Sequence, residues 1–122
     1  MRRFAQAIDL VDDPQRIAEY VGHHRAVWPE VVEGLRRIGI RGMRIWRGGD
    51  RLFMVIETDD DFDPSRYQEY ARDPRARAWD GLMRSFQRPA PFAREGEWWA
   101  RLEEVFDLEG VPAAAAAKGR DG

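Results

Sequence analysis

Cysteine is absent from the 122 residues, histidine occurs only twice, and neither sign of charge dominates. Without thiols there are no disulfides, no thiolate metal sites and no cysteine nucleophile. A formal charge of −2 does not supply the basic field on which nucleic-acid binding rests. No apolar run approaches the ~20 residues that a bilayer requires. The opening Met1-Arg2-Arg3-Phe4 lacks the apolar core of a signal peptide. These absences predict no nucleic-acid partner and no membrane partner, and the lack of cysteine fits a cytoplasmic location. Phosphate-cradling glycine loops and nucleophile elbows are also missing. The acidic run Asp59-Asp60-Asp61 has neither EF-hand spacing nor a turn glycine, so it reads as a solvated loop. Neither metal nor cofactor is expected.

What is present is strong patterning. Phe4–Val11 alternates as a strand, with Phe4, Gln6, Ile8 and Leu10 on one face and Ala5, Ala7 and Asp9 on the other. Asp13 and Pro14 give a helix start, the aspartate as cap and the proline at the first helical position. Ile17, Tyr20, Val21, His24, Trp28, Val31, Val32, Leu35 and Ile38 follow at helical spacing, interrupted by Pro29. Proline removes an N–H and clashes with the preceding turn, which predicts two helical pieces with a bend at Val27-Trp28.

Gly39 closes that helix and residues 40–47 form a second strand. Gly48-Gly49-Asp50 marks a hairpin, and residues 51–58 form a third strand that is apolar on both faces, as in a sheet covered on both sides. Helices are expected at 65–72 and 75–86, divided by Pro74, then a loop over 87–96 and a long last strand over 97–108. Residues 1–110 read as a single domain. Residues 111–122, ending in an alanine-rich stretch, read as a disordered tail.

The order is β-α-β-β-α-β, the ferredoxin-like split βαβ of the α+β class. Four strands and two helices leave one sheet face open. Because that face carries apolar side chains, a homodimer that packs two sheets face to face, a dimeric α/β barrel, is the simplest cover.

Both histidines are adjacent, and Tyr20 stands four residues before His24, on the same helical face. Ile17, Val21 and Trp28 share that apolar face, whereas His23 lies about 100° further round, among charged residues. His24 therefore points inward and His23 outward. An inward histidine is commonly a core residue satisfied by a backbone carbonyl. Paired with a phenol, it also makes a plausible acid–base couple, since imidazole both donates and accepts protons near neutrality. Trp28, Trp46 and Trp79 are candidate pocket walls, although each also suits a core or an interface. Arg41, Arg44 and Arg47 on the second strand read mainly as solvated or paired.

The segment Tyr20-Val21-Gly22-His23-His24-Arg25-Ala26-Val27-Trp28-Pro29-Glu30 resembles the signature of the L-rhamnose mutarotases, Tyr-x-x-x-His followed by Trp-Pro-Glu. The resemblance extends over residues 3–108. It implies a cofactor-free isomerase, of the aldose 1-epimerase type, that interconverts the α and β anomers of a deoxy-aldose such as L-rhamnose or L-fucose. The family's proton donor maps to His24 and its partner tyrosine to Tyr20. Substrate-binding positions map to Trp28, Met43, Trp46, Trp79 and Asp80. Two of these depart from the family pattern. Met43 stands where a tyrosine is usual, and Trp79-Asp80 replaces a tandem tryptophan. Two other readings stay open at this point: a divergent isomerase or cyclase on the same scaffold with a non-sugar substrate, and a dimer that binds a small molecule without catalysis.

Overall fold

The computed structural model describes residues 1–112. Residues 113–122, and with them most of the expected disordered tail, lie outside the described residues. The first strand, β1, spans Arg2–Leu10. Its alternation sends Gln6, Ile8 and Leu10 toward the helices, as the sequence pattern requires. Asp13 caps helix α1 (Pro14–His23) by accepting a hydrogen bond from the backbone N–H of Gln15 at 3.0 Å. Helix α2 (Pro29–Arg37) begins at the proline that ends the helical run, and Trp28 before it is extended, with ψ 135°.

Strands β2 (Ile40–Gly48) and β3 (Arg51–Thr58) form an antiparallel hairpin. In its tight turn Gly49 takes φ +61°, a conformation open to glycine. Gly39, with φ +103°, turns the chain from α2 into β2. A 3₁₀ turn, Pro64–Arg66, leads into the short α3 (Tyr67–Tyr70), and α4 (Pro74–Arg84) follows with Asp73 as its cap.

The sheet runs β2-β3-β1-β4, where β4 is Gln87–Arg88, and a further pair, β5 (Ala100–Arg101), joins β1 beside it. All pairings are antiparallel. This is the strand order expected of the ferredoxin-like α+β arrangement, curled into half a barrel. Helices cover one face, where Ile8, Leu10, Ile38, Leu52 and Met54 meet Val31, Ala76 and Met83 in one core.

The last strand departs from expectation. The 97–108 segment pairs with β1 only at Ala100–Arg101, with one further bond from Leu102 N–H to the Ala5 carbonyl at 2.9 Å. Beyond Leu102 the chain leaves the sheet, and Val105, Phe106 and Leu108 are exposed. Residues 87–88, expected as loop, instead take the end of that edge, pairing with Asp9 and Leu10. Pro89, which has no N–H, stops that pairing at once.

Candidate active site

Helix α1 delivers Tyr20 into the interior between the helices and the sheet, and His24 is the residue that caps the same helix at its C-terminal end. Their rings lie 4.6 Å apart, centroid to centroid. Tyr20 is buried and His24 half-buried. Imidazole Nδ1 lies 3.0 Å from the backbone oxygen of Tyr20. A carbonyl only accepts, so Nδ1 carries a proton and donates it, and in the neutral ring Nε2 is the nitrogen with the lone pair. The carbonyl contact expected of a core histidine is therefore present, but it engages only one ring nitrogen.

The Tyr20 phenol oxygen is held by Gln87, whose Nε2 is 3.1 Å away, and Gln87 Oε1 accepts the indole N–H of Trp98 at 2.9 Å. Burial raises the Tyr20 pKa, partly offset by the Gln87 hydrogen bond. The phenol therefore stays protonated.

Tyr20 and His24 share the wall of a cavity of about 390 Å³. Val27, Val31, Met43, Ile45 and Met54 give it an apolar flank, and Tyr67, Tyr70, Asp80 and Arg84 form a second polar side. Asp80 is exposed by surface area yet hemmed in by neighbours, and burial raises its pKa against the opposing pull of Arg84. The phenols of Tyr67 and Tyr70 are pushed up by burial first and by the Asp80 charge second. A second hollow of about 710 Å³ runs on from Tyr20 and His24 toward the edge strand β2.

The structure brings Tyr20, His24, Met43, Trp79 and Asp80 together on the first cavity. Trp46 is 52% exposed and stands outside the first cavity; with Arg41 and Arg47 it lines the second hollow. Trp28 lines neither. It packs edge-on behind Trp79 with centroids 5.2 Å apart, and Arg75 lies 4.2 Å over its ring. His23 is corrected: it is half-buried against Phe86 at 5.6 Å, because α1 ends there and the turn draws both histidines toward the aromatic cluster. Gln6, Tyr67, Tyr70, Gln87, Trp98 and Trp99 also reach the cavity, and sequence patterning singled out none of them. Among the described residues no three His, Asp or Glu side chains gather within reach of one metal ion.

Four likenesses to known proteins bear on the family and the fold. The family model described as L-rhamnose mutarotase matches residues 3–108. An L-fucose mutarotase of Xanthomonas campestris is 41% identical over 111 residues, covering 88% of this chain and 89% of that protein. An L-rhamnose mutarotase structure from Formosa agariphila superposes with a TM-score of 0.66 at 21% identity, over 88% of this chain and 99% of that one. The tetracenomycin F2 cyclase of Streptomyces glaucescens has the same fold, with a TM-score of 0.59 at 19% identity over 88% and 96%. At such identity the likeness is one of fold. Family-model coverage of nearly all the described chain settles the assignment: the chain belongs to the L-rhamnose mutarotase family, a group of isomerases.

Proposed function

We propose that the protein interconverts the α and β anomers of a 6-deoxy-aldose such as L-rhamnose or L-fucose, with His24 and Tyr20 as the acid–base pair. The observation that carries this is the pair itself: two proton-handling groups, rings 4.6 Å apart, on the wall of a cavity of about 390 Å³. Opening a cyclic hemiacetal needs one proton delivered to the ring oxygen and one taken from the anomeric hydroxyl. Reclosure on the other face of the carbonyl reverses both transfers. A single site with one donor and one acceptor suffices.

The cavity's two sides suit a deoxy sugar. Val27, Val31 and Met54 offer an apolar wall to a C6 methyl group, while Asp80, Tyr67 and Tyr70 offer hydrogen-bonding partners to ring hydroxyls. Such a wall favours methyl over hydroxymethyl by about 1–3 kcal/mol. The 41% identical relative is named for L-fucose and the matching family for L-rhamnose, and both sugars carry that methyl group. Met43 in place of a phenol removes one hydroxyl partner and adds apolar surface. Exchange NMR on a panel of L-rhamnose, L-fucose and the corresponding hydroxymethyl sugars tests the reading. Accelerated exchange between anomeric signals, strongest for a 6-deoxy sugar, is expected. No acceleration for any sugar would overturn it.

A further inference from the structure

The Trp98–Gln87–Tyr20 chain has a direction. Indole Nε1–H is a donor with no acceptor, so the Gln87 atom facing it at 2.9 Å must be the carbonyl oxygen. This fixes which way the amide points, an assignment that otherwise depends on the hydrogen-bond network. The amide nitrogen then faces Tyr20 at 3.1 Å, and the phenol oxygen is the acceptor. The phenol's own proton is left for another partner, and the side chain lines the cavity. On the neighbouring imidazole the polarity is opposite. Nδ1–H is spent on the Tyr20 backbone carbonyl, so Nε2 presents a lone pair.

From this geometry we infer that Gln87 and Trp98 are positioning residues that set the direction of proton transfer: in ring opening Tyr20 is the donor to the substrate and His24 Nε2 the acceptor, and His24, to which the family resemblance assigns the donor role, donates only on reclosure. The inference rests on the reading of the protein as a mutarotase and divides the roles within that pair. In ring opening, the Tyr20 proton passes to the ring oxygen as the bond from that oxygen to the anomeric carbon breaks. The anomeric hydroxyl proton passes to Nε2 as the carbonyl forms. This leaves phenolate beside imidazolium and creates no net charge, which matters because burial resists an isolated phenolate. Rotation about the bond between C1 and C2 exposes the other carbonyl face, and reclosure returns both protons.

Gln87→Glu is the decisive variant, because it keeps the shape and both hydrogen bonds but reverses one of them. An ionised carboxylate is acceptor-only, so Trp98 still donates to one oxygen while Tyr20 must turn its proton to the other and away from the cavity. Protonation of the introduced carboxyl restores a donor toward Tyr20. The expected result is a kcat at least ~10-fold below wild type at high pH, approaching wild type as pH falls, with KM changed far less. His24, Tyr67, Tyr70, Asp80 and Arg84 also face this cavity in both proteins, so rates are compared as a ratio to wild type, with Gln87→Leu, which adds no charge and offers Tyr20 no partner, as a second reference. A ratio near one at every pH would overturn the inference.

A second readout needs no activity. With tyrosine labelled at Cζ, the Tyr20 carbon resonance should move downfield in the variant as the introduced carboxyl ionises. A resonance that ignores that titration overturns the inference. Should Gln87→Glu not fold, as judged by circular dichroism, Trp98→Phe takes its place. That change frees the amide to flip, so kcat should fall and the Cζ signal should shift; unchanged values would overturn the inference. Absence of anomer exchange in the wild type would instead remove the mutarotase reading, and the Cζ signals would still decide the donor direction.

Discussion

At the scale of single residues, the proposed chemistry rests on two groups, Tyr20 and His24, whose hydrogen bonds leave one atom of each free. Tyr20→Phe removes the hydroxyl and His24→Gln removes the titratable nitrogen. Each should lower kcat for anomer exchange about 100–10,000-fold, the range for loss of a general acid or base. Tyr20→Phe also leaves the buried Gln87 amide without its acceptor, at a cost of about 1–3 kcal/mol that a melting curve will register. A folded Tyr20→Phe protein with wild-type exchange rates would remove the pair from the mechanism. Helical spacing was enough to place Tyr20 and His24 together, because four residues bring two side chains to one face. It could not place Gln87 or Trp98. Their bonds join residues 67 and 11 positions apart, across a turn whose path only tertiary packing decides. Nor could it place His23, since the periodic argument fails where α1 ends and the backbone turns.

Between elements, α2 and α3 leave no room for a side chain where Gly34 faces the ring of Tyr70. A Cβ built on Gly34 would sit 2.9 Å from that ring. Gly34→Ala gains about 1 kcal/mol of helix propensity but costs about 1–3 kcal/mol of overpacking. The net expectation is a lower melting temperature, together with displacement of Tyr70, a cavity residue, that weakens substrate binding. A raised melting temperature with unchanged KM would show that the ring yields freely.

The 94–101 connection is tied differently. Glu97 accepts hydrogen bonds from the backbone N–H groups of Arg94 and Arg101 at 2.8 and 3.3 Å. These bonds hold its carboxyl below the ordinary range. Because the folded pKa is depressed, this tie stabilises the fold above the unfolded glutamate pKa and is lost as pH falls through the folded one. Protection of the Arg94 and Arg101 amides, measured against the intrinsic exchange rate at each pH, should therefore fall on acidification, and Glu97→Gln should flatten that dependence. Since Trp98 follows directly, loosening here also loosens the indole that holds Gln87. Elements with their own local signals, namely the Asp13 cap, the break at Pro29 and the Gly49 turn, were legible in the sequence. The long last strand was misread because alternation states only that a segment is able to pair, while pairing needs an edge that continues to accept it.

For the molecule as a whole, one sheet face lacks a cover of helices. Trp46 and Phe53 stand opposite each other on paired strands of this face and are 52% and 40% exposed. Val105, Phe106 and Leu108 project from the chain beyond β5 with 89%, 70% and 69% of their surfaces exposed. Such apolar surface is costly to leave in water, and a second copy of the chain is the expected cover, as open antiparallel faces commonly pack sheet to sheet. Sedimentation velocity at micromolar concentration should give a dimer, and Phe53→Asp should shift it toward monomer. A wild-type monomer under those conditions would dispose of the expectation.

The edge-on contacts of Trp79, at 5.5 Å from His24 and 5.2 Å from Trp28, supply the protein with a built-in optical gauge. The same indole borders the cavity, so a sugar that enters should alter the emission at fixed pH. Occupancy of the site can thus be followed in one cuvette, in the unlabelled chain, and the response should vanish in Trp79→Phe.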